Sequence, residues 1–246
     1  MNELLKEELI GLGIRPVDRI EDQQSIPSQY LVHEERCMDF LQSYMKKIHA
    51  PNIRITASLF MKQYARITIA AVLYQMGSKN RHVTLPLSSC YVGEDRKLFV
   101  DRKQVVWNEW TFGTREEWLD RSLRPLFTSH ITSVISMLQQ TAKVSSSILW
   151  ENVAVRMNSF YRVLLQEDLS NEQQDLIKRD FSFLKQATGD LFGLEVNPLS
   201  SYLHLDTSFN TRRTCCMYYL VGKKEYCGVC PLTKESGHNV KAANKT

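Results

Sequence analysis

The chain has 246 residues, 43% of them apolar and 24% charged, a balance that excludes a disordered or fibrous chain and suffices for one large core or two small ones. Its 31 Lys+Arg stand against 27 Asp+Glu, a net charge of +4, and no long basic tract points to nucleic acid, so electrostatic arguments must be local. The first residues (MNELLKEELIGLG) lack the basic start, apolar middle and small-residue cleavage site of a secretory signal, and the longest nearly apolar run, 67–74, is far short of the ~20 residues that span a bilayer. A soluble, cytoplasmic, non-spanning protein is expected.

Leucines at helical spacing predict a short amphipathic helix over 2–13, followed by a polar connection over 14–27 with prolines near each end. Over 28–49 (SQYLVHEERCMDFLQSYMKKIH) apolar residues recur at three- and four-residue steps, the pattern of a helix with one buried face, which carries Cys37. Pro51 and Asn52 interrupt it; an apolar-rich helical pattern resumes over 53–76, and Gly77 supplies a stop. Between 80 and 110 the runs RHVTLPLSSCYV, KLFVD and QVVWNEW are β-branched and aromatic and are separated by turn residues, which predicts antiparallel strands. Pro86 demotes the first towards an edge strand.

Thr114 and Glu117 have the spacing of a capping box, and Pro125 suits a first helical turn or a kink. Helices are expected over 125–143, 147–166 and 171–188, the last with Ser170 as N-cap, Gln173 three residues on and Gly189 as its stop. Beyond Gly193 the chain turns loop-rich and ends in a polar tail, KESGHNVKAANKT, expected to be mobile. The fold class is α+β: N-terminal helices with a small antiparallel sheet (1–113), a helical second half (114–193) and a C-terminal cysteine-bearing segment with its tail (194–246).

Four of the six cysteines fall within sixteen residues, Cys215, Cys216, Cys227 and Cys230. In a reducing compartment such a cluster points to metal binding or redox chemistry rather than disulfides. Adjacent α-carbons are about 3.8 Å apart, below the ~4.4 Å minimum for a disulfide, so Cys215 and Cys216 make a poor bridge. The Cys227-Gly-Val-Cys230 loop aims both sulfurs at one point and lets the amides of Gly228 and Val229 donate to them. Four thiolates suit either zinc or an iron–sulfur cluster. A directly adjacent pair makes a poor zinc knuckle, and the spacing favours a two-iron cluster.

These residues resemble the FhuF-type ferric-siderophore reductases, which carry a C-terminal Cys-Cys-x10-Cys-x2-Cys; here the ten residues run from Met217 to Tyr226. The resemblance covers 212–231 and implies a [2Fe–2S] cluster on all four cysteines. It also implies one-electron reduction of Fe(III) held by a siderophore, of hydroxamate or mixed citrate–hydroxamate type, with release of iron in the cytoplasm. Reduction amounts to release because hard oxygen ligands hold Fe(II) far less well than Fe(III). No G-x-G-x-x-G fingerprint is present, so electrons are expected from a separate donor such as a ferredoxin. Arg212, Arg213, Lys223 and Lys224 are candidates for compensating cluster charge or docking the donor or an anionic ferric complex, though such residues often serve solubility alone. Arg102, Lys103 and Trp107 are candidates for a substrate groove.

Other features carry less. Cys37 and Cys90 read as buried apolar thiols, and the tryptophans as core or interface aromatics. The histidines show no HExxH or paired spacing, and no G-x-S-x-G motif supports a hydrolase. Two other functions compete: a zinc-stabilised interaction protein without redox activity, and a relative of the siderophore synthetases, for which the chain is short and lacks a phosphate loop.

Overall fold

The computed structural model describes residues 3–20, 23–93, 97–111, 113–206, 211–222 and 224–235. The helices in chain order are α1 (Glu3–Gly11), α2 (Glu34–Ile48, entered through a 3-10 turn at Ser28–Val32), α3 (Ile53–Lys79), α4 (Arg115–Arg124), α5 (Ser133–Ala142), α6 (Ser146–Leu164), α7 (Asn171–Gln186) and α8 (Leu232–Glu235). Six short strands accompany them: β1 (Ile14–Val17), β2 (Ser25–Pro27), β3 (Arg81–Val83), β4 (Cys90–Gly93), β5 (Leu98–Asp101) and β6 (Trp107–Glu109). The α+β class expected from the sequence is the class observed.

Helix α3 is the axis on which the rest is assembled. Asn52 caps it by accepting from the Ile55 amide at 3.0 Å, and Asn80 ends it in the left-handed region. Buried residues occupy nearly every face, as expected for a helix surrounded by others. The stop expected at Gly77 does not occur. A Cβ there would lie 2.8 Å from Leu164 Cδ2, so this glycine serves the close approach of α6, and the helix continues to Lys79.

The polar connection expected over 14–27 contains two strands instead. Ile14 and Pro16 alternate inward over four residues, a period too short to register in composition. The strands form two sheets. One has the order β1-β5-β4-β2, with β1 parallel to β5 (Ile14 opposite Leu98) and the other pairs antiparallel. The second is the antiparallel β3–β6 ribbon, with Val83 opposite Trp107. Pro86 lies in neither sheet; it precedes the 3-10 turn Leu87–Ser89 that separates β3 from β4.

Both capping boxes form, at Thr114/Glu117 and Ser170/Gln173. Pro125 opens a π-helical stretch, Pro125–Thr132, which carries α4 into α5 without a break. Helix α7 ends at Gln186, before the expected Gly189 stop. A Cβ at Gly189 would sit 2.1 Å from the Leu194 carbonyl oxygen, so the glycine is required by the crossing of the 194–196 backbone. Of the expected mobile tail, residues 236–246 lie outside the described residues.

One cluster of buried apolar side chains runs from Leu5 to Leu203 and includes Trp118, Trp150, Cys37 and Cys90. Burial pushes the Cys37 thiol up to about 11 and the Cys90 thiol up to about 12, so both behave as apolar groups. Two polar networks cross this core. Arg115 reaches both oxygens of Asp180 (3.0 and 2.6 Å) and the Asn80 side chain, tying α4 to α7 and to the end of α3. Tyr64 and His130 Nε2 are 2.6 Å apart, and His130 Nδ1 lies 2.8 Å from the Leu85 carbonyl. Among the described residues no helix is long and apolar enough to cross a membrane.

Candidate functional site

The cysteine segment lies across the first halves of α3 and α6, which supply polar side chains at an otherwise apolar junction. From α3, the Ser58 hydroxyl donates to the Cys216 carbonyl at 3.0 Å. From α6, Asn152 Nδ2 donates to the Ser58 carbonyl (2.8 Å), while its Oδ1 accepts from Arg212 Nη1 (2.6 Å). The neighbouring Glu151 carboxylate accepts the backbone amides of Arg213 (2.6 Å) and Thr214 (2.8 Å) and also the Thr214 hydroxyl. Arg212 Nε stands 3.5 Å from the same carboxylate, and the Arg212 amide donates to the Val229 carbonyl at 2.9 Å, which joins the two cysteine pairs. Glu151 is 3% exposed and Arg212 4%. A buried ion pair holds only when its remaining hydrogen-bonding capacity is used, and here backbone and side chains use it.

This cradle brings two of the thiols into direct contact and a third close to them. The sulfurs of Cys216 and Cys227 are 3.6 Å apart, and Cys215 lies within electrostatic reach of both Cys216 and Cys230. Three of the sulfurs accept backbone amides: Met217 N–H to Cys215 at 3.3 Å, Tyr218 N–H to Cys216 and Val229 N–H to Cys227. Two successive amides can point at two successive sulfurs because Met217 adopts φ 62 and ψ 16, a left-handed conformation unusual for a bulky residue. The Cys227–Cys230 turn is closed by Cys230 N–H to the Cys227 carbonyl at 2.9 Å. Among the described residues no three or more His, Cys, Asp or Glu side chains converge as ligands of one ion.

Positive charge surrounds the Cys216–Cys227 pair. Lys62 Nζ is 3.6 Å from Cys216 Sγ and 4.9 Å from the centre of the Tyr218 ring. Arg156 Nε donates to the Lys62 carbonyl at 3.3 Å, and burial first, then the Arg66 charge, lowers its pKa. The Cys216 thiol is held below the usual thiol range, chiefly by its hydrogen bond with Cys227, with Lys62 and Arg212 adding to the effect against burial. Cys227 moves up for the reciprocal reason, and burial raises Cys215.

Of the residues singled out from sequence, Arg212 is part of the cradle, Val229 supplies a sulfur-directed amide, and Arg213 and Lys224 are exposed beside it. Lys223 lies outside the described residues. Arg102 stands 3.9 Å from Asp18, and the Lys103 amide donates to Asp101, both in the turn after β5. Trp107 lies under Arg81 on β6, beyond the far end of α3. Ser58 and Asn80 are separated on that helix by about 22 residues, ~33 Å at 1.5 Å per residue, so the fold does not bring Trp107 to the thiols. Sequence reasoning missed Ser58, Lys62, Glu151, Asn152 and Arg156. The available signal was polar residues interrupting apolar helices, Glu151-Asn152 within LWENVAV and Lys62 within LFMKQYA.

A family model described as "Ferric iron reductase FhuF-like transporter" matches residues 94–206. The chain is also 24% identical over 110 residues to the "Ferric siderophore reductase" of Escherichia coli (strain K12), a stretch covering 45% of this chain and 40% of that protein. The FhuF-type resemblance is thereby borne out. The family match is independent of the motif that first indicated it, because residues 94–206 contain none of the six cysteines.

Proposed function

We propose that this chain is a ferric-siderophore reductase, an oxidoreductase that passes one electron to siderophore-bound Fe(III) through a [2Fe–2S] cluster on Cys215, Cys216, Cys227 and Cys230. The observation that carries the reading is the gathering of the thiols on one polar cradle, with Cys216 and Cys227 in contact at 3.6 Å and Cys215 within electrostatic reach of Cys216 and Cys230, in a chain whose preceding segment is FhuF-like. The donor set fits the group: two thiolates per metal suit a centre with two irons, whereas a structural zinc asks four donors to converge on one ion. When bound, such a cluster supplies a one-electron carrier whose potential depends on charge, hydrogen bonds to sulfur and solvent exposure.

The protein's own residues account for those dependences. The amides of Met217, Tyr218 and Val229 place partial positive charge at three sulfurs, and Lys62 adds a full charge near Cys216. Glu151 and Ser58 bond the backbone carrying the thiols and Asn152 accepts from the Arg212 side chain, so sulfur positions are set by α3 and α6. Arg213 and Lys224, exposed at the same end, offer an acidic electron donor such as a ferredoxin a place to dock, and the released iron would enter the cytoplasm.

Protein purified without oxygen tests the reading. The expected result is a red-brown sample with about two iron and two sulfide per chain, bleached by dithionite and recoloured by a ferric siderophore. A colourless protein with one zinc would instead indicate a zinc-stabilised interaction protein.

A further inference from the structure

Beside the thiols the surface opens into a groove of about 460 Å³ between the C-terminal end of α2, the first half of α3, Arg156 of α6 and the 218–222 turn. Lys47, His49, Lys62 and Arg156 line it, with the rings of Tyr44 and Tyr218, and among the described residues its lining includes no carboxylate. Lys62 belongs to both the groove and the thiol site. A group touching its ammonium at ~3 Å would therefore lie within about 7 Å of Cys216 Sγ, given the 3.6 Å from Lys62 to that sulfur. None of Arg102, Lys103 and Trp107 lines this groove.

We propose that this groove binds an anionic iron(III) chelate, with Lys47, Lys62 and Arg156 opposing its charge and Tyr44 and Tyr218 flanking its organic part. The inference rests on the reductase reading and assigns its substrate a place and a sign of charge. A wall of cations without a carboxylate favours negatively charged ligands over neutral ones. The open shape suits a bulky polar complex that keeps part of its surface in water. His49, in the left-handed conformation that ends α2, and Lys47 in the last turn of that helix are both exposed at the rim, where an arriving chelate meets them first.

Calorimetric titration with gallium(III) complexes separates binding from electron transfer, because gallium(III) matches the charge of iron(III) and accepts no electron. The probes are the anionic gallium complex of a citrate–dihydroxamate siderophore and the uncharged gallium complex of a trihydroxamate. The wild-type chain is expected to bind the anionic complex more tightly. The double variant Lys47→Glu/His49→Glu should weaken that binding about tenfold or more and leave the neutral complex little changed. Lys185→Glu, a charge reversal of one exposed residue on α7 outside the groove, should leave both unchanged. Absence of binding by the wild-type chain, equal affinity in the double variant, or an equal loss in Lys185→Glu would overturn the proposal. If the titrations behave as expected while the dithionite-reduced protein fails to reduce the matching iron complex, the groove stands as a chelate site and the reductase reading falls.

Discussion

At the ends far from the thiols, helices α3 and α6 are held together by apolar contact, and a Cβ added at Gly77 would lie 2.8 Å from Leu164 Cδ2. The described residues of 211–231 have almost no regular structure and are held to the same two helices by hydrogen bonds with Ser58, Glu151 and Asn152. Apolar packing fixes a distance between elements but tolerates small rotations. Hydrogen bonds to named backbone atoms fix orientation, which sulfur ligands require. The molecule uses the first device for its scaffold and the second where atoms must be aimed.

The strongest way to sharpen this division is to change the thiols. Ser at Cys215, Cys216, Cys227 or Cys230 should remove most of the iron and the visible absorption, whereas Cys37→Ser and Cys90→Ser should keep both and cost about 1–3 kcal/mol of stability for a hydroxyl in an apolar site. Metal analysis with an absorption spectrum of all six variants decides it; iron retained in Cys216→Ser but lost in Cys37→Ser would reverse the assignment. Next in size is Glu151→Gln, which leaves Arg212 buried without its counter-charge and should cost about 3–5 kcal/mol. Limited proteolysis should then cut the 211–231 segment first while far-ultraviolet circular dichroism stays that of a folded helical protein. Simultaneous loss of both would mean that the two regions are one cooperative unit.

A smaller effect is expected at Lys62. Lys62→Met should keep the iron and lower the midpoint potential by on the order of 50 mV, since the removed cation favours the more negative reduced state; a redox titration showing no shift would remove Lys62 from the tuning groups. The smallest change belongs to the scaffold alone. Thr114→Ala deletes one half of a capping box and should cost about 1 kcal/mol in urea denaturation, with the visible spectrum unchanged.

Signals contained within a few residues were legible in the sequence. The Thr114 and Ser170 caps, the four clustered cysteines and the burial of Cys37 and Cys90 follow from local spacing or from an apolar setting. Gly77 and Gly189 do not act as stops because a glycine's local preference looks the same whether it ends a helix or admits a neighbour: Leu164 approaches Gly77 from another helix, and the chain folds back so that the 194–196 backbone meets Gly189. Strands β1 and β2 were hidden because their partners lie 64 to 84 residues away along the chain. The cradle was least legible of all: Ser58 meets Cys216 across 158 residues and Glu151 meets Thr214 across 63, so no window on the chain contains both halves of either contact.

The left-handed backbone at Met217 bears on how far the cysteine motif can travel. For a side chain of this size that conformation costs on the order of 1–3 kcal/mol, and the backbone bonds around it, such as Leu220 N–H to the Met217 carbonyl at 3.1 Å, close single turns only. Ser58, on a helix far away in sequence, holds the Cys216 carbonyl in place, and Asn152 of a second helix donates to the Ser58 hydroxyl at 3.2 Å. A peptide cut from residues 212–231, or the same twenty residues grafted into a loop of another protein, would keep every cysteine and its spacing. It would relax to an ordinary backbone at Met217, and the two successive sulfurs would lose their two successive amides.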